Sequence, residues 1–78
     1  MPRFFFDVHH GSETRYLDRI GEELPDRVSA WRMASTYAGE SIRDLDGGLK
    51  LGDEWCLDVN DDQGRTLCRI RVTARCFK

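Results

Sequence analysis

No apolar run in this chain approaches the ~20 residues needed to cross a bilayer. The opening stretch, MPRFFFDVHHG, is too short for a signal-peptide core and meets charge at once. These absences set aside a membrane span and point to a soluble cytoplasmic protein. Nor is there an excess of one charge: fourteen acidic residues stand against twelve basic ones, so no strong field draws the whole molecule to DNA or to an anionic membrane. The three cysteines, Cys56, Cys68 and Cys76, are odd in number and lack CxxC spacing. That fits reduced thiols in or near a core better than a disulfide frame or a zinc knuckle. Repeats, low-complexity tracts and linkers are missing too, and the 78 residues read as one domain, 1–78.

What is present is a globular composition, 40% hydrophobic and 33% charged. A chain this short buries only about 60% of the surface its unfolded form exposes, which leaves room for one helix on one sheet. The segment FFFDV predicts a strand with Phe4, Phe6 and Val8 on one face and Phe5, Asp7 and His9 on the other. After a polar turn, TRYLDRI predicts a second strand that ends or bulges at Gly21, forming a hairpin with the first.

Asp26, after Pro25, is placed to cap a helix that closes at Gly47 or Gly48. Within it Trp31, Ala34, Ala38, Ile42 and Leu45 recur at steps of three and four, an inward stripe with Arg32, Ser35, Glu40 and Arg43 outside. The remainder predicts a second hairpin, with Trp55, Leu57 and Val59 inward on one strand and Ile70, Val72 and Ala74 inward on the next. Its tip, DDQG, suits a type I turn with Gly64 left-handed and Asp61 opposite Arg65. Leu67 then falls beside Val59, and a bulge near Cys68 keeps the later apolar residues inward. The expected fold is α+β: a two-layer ββαββ domain, with one helix packed on one face of an antiparallel four-stranded sheet.

Three groups of residues carry possible chemistry. His9 and His10 leave a strand on opposite faces and so cannot easily share a metal ion. Asp7 and His9 do share a face, the beginning of an acid–base pair, but no glycine-rich elbow precedes Ser12, Ser29, Ser35 or Ser41 to complete a nucleophile. DVNDDQG has the alternating acids of a calcium loop, yet its glycine and its twelfth residue, Arg69, are out of place for one. Neither a metal nor another cofactor is expected. The remaining candidate is the outer sheet face, where Phe5, Asp7, His9, Asp58, Arg69, Arg71 and Arg75 collect. Arginines beside an aromatic on an open sheet can hold single-stranded nucleic acid. Cross-strand ion pairs of the arginines with Asp7 and Asp58 are the stronger explanation, and no aromatic box of the RNP kind occurs.

The stretches MPRFFFDVHHG, LDRIGEELPD and DVNDDQGRTLCRIRV together resemble an uncharacterised bacterial family common in alphaproteobacteria, the domain of unknown function 6894. The matching positions are Pro2, Arg3, Phe5, Phe6, Asp7, Gly11, Asp18, Gly21, Glu23, Leu24, Asp58, Val59, Asp61 and Gly64, while His10 stands where many members carry an acid. The resemblance implies no reaction and carries no functional residues with it. A looser likeness, of fold only, is to HicB-type antitoxin domains.

Scale and pattern together point to a non-enzymatic module that binds another macromolecule or itself, with homodimerisation through the sheet face or a strand edge. A binder of nucleic acid, an antitoxin-like regulator, and an enzyme built on Asp7 and His9 are the alternatives.

Overall fold

A computed structural model describes residues 1–11, 14–44, 52–75 and 77. Its elements run β1 (Arg3–His10), β2 (Thr14–Tyr16), β3 (Glu22–Glu23), α1 (Arg27–Asp44), β4 (Glu54–Asn60) and β5 (Thr66–Thr73). The strands form one antiparallel sheet in the order β2-β1-β4-β5, with β3 also paired to β1. The α+β layout with a single helix on one sheet face holds among the described residues. The sheet has five strands rather than four, because the expected second strand is divided.

Alternation sorts the side chains into two layers. Phe6 pairs with Val59, Val8 with Leu57, and His10 with Trp55, and across β4 Leu57 meets Ile70 and Trp55 meets Val72. Phe4, Phe6, Trp55, Leu57 and Val59 are all buried beneath the helix. Leu57 and Val59 lie on a central strand flanked on both sides, and this is why they are the most enclosed large residues.

The second hairpin follows its turn chemistry. Asp61 accepts the N–H groups of Gln63 and Arg65 at its Oδ1, its own N–H reaches the Arg65 carbonyl at 2.9 Å, and Gly64 takes φ 81°. The bulge falls at Leu67 itself: Asn60 pairs with Thr66 and Val59 with Cys68. Leu67 is therefore the extra residue, and both it and Cys68 pack against the core.

The helix starts where its cap dictates, with Asp26 Oδ1 accepting the Ser29 N–H at 2.8 Å. Its described part ends at Asp44, and the expected contributions of Leu45, Gly47 and Gly48 lie outside the described residues. Ala34 and Ala38 face the sheet as expected, and Arg32, Ser35, Glu40 and Arg43 face outward.

Trp31 does not belong to the inward stripe. The buried row is Ala30, Ala34 and Ala38, and Trp31, one residue round from Ala30, is 46% exposed. With the large side chains of Trp55, Leu57 and Val59 rising from the sheet, the facing helix surface has room for methyl groups, not a second indole.

The divided strand has a local cause. β2 covers only Val8 to His10, and the chain leaves the edge at Leu17 before β3 rejoins it opposite Arg3 and Phe4. In the gap Asp18 Oδ2 accepts the Phe6 N–H at 3.1 Å, while Oδ1 accepts those of Ile20 and Gly21. A carboxylate thus replaces strand partners for donors that would otherwise be left unmet.

Candidate functional site

No described strand or helix packs on the sheet face away from α1, and only the β2–β3 connection reaches it, at Phe5 and Asp7. Phe5, Asp7 and His9 of β1, Glu54, Cys56, Asp58 and Asn60 of β4, and Arg69 and Arg71 of β5 share it by register. A shallow hollow of about 570 Å³ is lined there by His9, Cys56, Asp58, Arg69, Arg71 and Glu54 together with the loop residues Gly11, Gly52 and Asp53.

The charges around this hollow are mutually engaged. Asp58, its side chain only 13% exposed, receives Arg69 through two bonds, Nε at 2.6 Å and Nη2 at 3.0 Å. The Arg69 hydrogen bond, followed by burial acting in the opposite sense and by the positive charge of Arg69, holds the Asp58 carboxyl below its ordinary range. The same pairing raises Arg69, so the guanidinium stays charged. Arg71 Nε pairs with Glu54 Oε1 at 3.2 Å.

Asp7 departs from the expected ion pairing. Its Oδ1 accepts the Asp18 N–H at 2.9 Å and its Oδ2 the Asn60 amide at 2.8 Å, and Asn60 in turn accepts the Thr66 hydroxyl at 2.8 Å. No arginine reaches it, because both arginines of β5 find acids on the adjacent β4. Both Asp7 oxygens thus accept hydrogen bonds from groups other than His9.

Of the residues singled out from the sequence, His9, Asp58, Arg69 and Arg71 meet at the hollow, and the others do not. Phe5 lies over Gly21, where an added methyl would come within 2.8 Å of both its ring and the Arg3 side chain. Arg75 sits past the end of β5 with its guanidinium 5.7 Å from the centre of the exposed Phe77 ring. The roles of Glu54, Asn60 and Asp18 escaped the sequence reading. Glu54 was legible as the residue opposite Thr73 once the hairpin register was drawn, whereas Asp18 depends on a contact eleven residues away.

Ser29, Ser35 and Ser41 belong to α1, on the other side of the sheet, and Ser12 lies outside the described residues. No cluster of three or more His, Cys, Asp or Glu side chains suited to a metal ion occurs among the described residues. His9 and His10 do diverge to opposite faces. His10 Nε2 is buried 3.7 Å from Asp53 Oδ2 and has no hydrogen-bond partner among the described residues.

Residues 3–73 match the model of the family described as Domain of unknown function (DUF6894). The chain belongs to this family. No curated protein and no solved structure matches it. The residues on which the family resemblance rests have structural work in this fold. Arg3 pairs with Glu23 at 2.9 Å, the Leu24 N–H reaches the Pro2 carbonyl, Asp7 and Asp18 close the β1 edge, Gly21 admits Phe5, and Asp61 and Gly64 shape the hairpin tip. No described helix of this family member is long and apolar enough to cross a membrane.

Proposed function

We propose that this protein is a non-catalytic module of the bacterial cytoplasm that works by associating with itself or with another macromolecule. The observation that carries this reading is where apolar surface remains. Tyr16, Ile20 and Tyr37 are exposed on the helix side of the sheet around one shared hollow, with Ile20 at 78% and Tyr16 at 57%. Meanwhile Asp58 and Glu54 of the open face are paired with Arg69 and Arg71, and Asp7 is bonded to Asp18 and Asn60. Contiguous exposed apolar side chains on a small domain mark association surfaces more often than active sites. Sedimentation equilibrium tests the reading: a concentration-dependent dimer supports it, and a strict monomer near 1 mM that captures no macromolecule from its native cell removes it.

A second reading rests on the row Arg69, Arg71 and Arg75, which ends at the exposed Phe77. Such a row suits single-stranded nucleic acid in an antitoxin-like or other regulator. Filter binding to a single-stranded oligonucleotide that persists unchanged in Arg71→Glu and Arg75→Glu would dismiss it.

A further inference from the structure

The flank of α1 offers a surface that the open sheet face does not. A hollow of about 460 Å³ runs along it, lined by Ser29, Arg32, Met33, Thr36, Tyr37 and Glu40. Met33 and Tyr37 also line a neighbouring hollow of about 370 Å³ that reaches Phe6, Tyr16 and Ile20. The two are therefore one apolar surface running from the helix to the β2–β3 connection. Arg32 and Glu40 stand on either side of Thr36 in its helical part, about 12 Å apart at ~1.5 Å per residue, and neither has a salt-bridge partner among the described residues.

We infer that the surface docks a second copy of this chain, with the two α1 helices running antiparallel about a two-fold axis at Thr36, so that Arg32 of each copy faces Glu40 of the other. This rests on the self-association reading and adds its geometry. Arg32, Thr36 and Glu40 form a row of the i, i+4 kind, with Thr36 at its midpoint. A two-fold at the midpoint lays the row of one copy along the same row of the other in reverse. The positive end of each then meets the negative end of its mate. Beside it, Met33 of each copy meets Tyr37 of the other, a thioether against an aromatic ring. Gly39, in the row on the other side of Thr36, has open space around it and adds no side chain to hinder close approach.

The charge pattern selects a second copy over other occupants, because one positive and one negative residue placed symmetrically about a centre are complementary to themselves. The edge of β5, unpaired among the described residues, has no such match. A two-fold pairing of β5 strands about Ile70 would set Arg69 opposite Arg71 of the other copy, like charge against like.

The test is sedimentation velocity on the full chain from about 10 μM to 1 mM, comparing Arg32→Glu, Glu40→Arg and the double swap, with Asp62→Asn at the hairpin tip as control. Circular dichroism checks that each variant is folded. The expected result is a dimer weakened about tenfold or more by either single reversal, restored to within about threefold by the double swap, and unchanged in the control. A dimer indifferent to all four variants overturns this geometry and leaves self-association standing. A wild-type monomer at 1 mM overturns both. A dimer lost in the single variants but not regained in the double swap also overturns the geometry, since it would show no direct Arg32–Glu40 contact.

Discussion

The Asp18 carboxylate accepts the backbone N–H of Phe6 at 3.1 Å, between the points where β2 and β3 pair with β1. The Asp18 N–H in turn reaches Asp7 at 2.9 Å, so one residue both fills the gap in the strand edge and ties it to the open face. Replacing it leaves three backbone donors to find water or go without. Asp18→Ala is expected to lose about 1–3 kcal/mol of stability, measured by urea denaturation, and Asp18→Asn less, since its amide oxygen can accept part of the set. A loss below about 0.5 kcal/mol for the alanine variant would mean that water substitutes fully.

Gly21 shows a steric requirement at the same edge. Its φ is +75°, and a Cβ would stand 2.8 Å from the Arg3 Cγ and the Phe5 ring and 3.0 Å from the Phe4 carbonyl. Arginine can swing away, but the carbonyl is held in the β1–β3 pairing. Gly21→Ala is expected to cost about 1–3 kcal/mol from strain and displacement together. A thermal midpoint equal to the wild type would contradict the close approach.

Two tryptophans should answer truncation very differently. Trp55 is 2% exposed at the centre of the sheet, and Trp55→Ala is expected to lose about 3–5 kcal/mol, a large part of the total for a domain of this size. Trp31, at the helix flank, is expected to cost about 1 kcal/mol or less as Trp31→Ala. Equal losses at the two sites would restore the inward position that periodicity predicted for Trp31.

Acid should loosen the fold through Asp18 and Asp58. Burial alone would raise Asp18, but the N–H groups of Gly21, Phe6 and Ile20 outweigh it and hold it below the ordinary value. Asp58 is held low chiefly by Arg69. For a carboxyl whose folded pKa is depressed, the unfolded chain takes up its proton first as pH falls. The stabilisation is thus complete above about pH 4–5 and is lost as pH drops below the unfolded pKa near 3.9 toward the lower folded values. Urea midpoints taken from pH 6 to pH 2 should fall steeply for the wild type and less steeply for Asp18→Asn and Asp58→Asn. Parallel curves for all three would assign the acid sensitivity elsewhere.

Periodicity and turn chemistry were enough to read the strand faces of FFFDV and EWCLDV, the Asp26 cap and the Asp61–Gly64 tip from the chain alone, because each depends on residues within a few positions of one another. The α+β class followed from those pieces. Whether Trp31 or Ala30 faced the sheet was decided by the volume that Trp55, Leu57 and Val59 occupy across the interface, which the helix does not encode by itself. Likewise Asp7 looked like a partner for arginine until the register gave Arg69 to Asp58 and Arg71 to Glu54, leaving Asp7 to Asn60 and Asp18. Local pattern determines which side of an element is apolar. Which charge meets which, and which apolar residues are left at the surface, is settled only when elements far apart in the chain compete for the same neighbours in space.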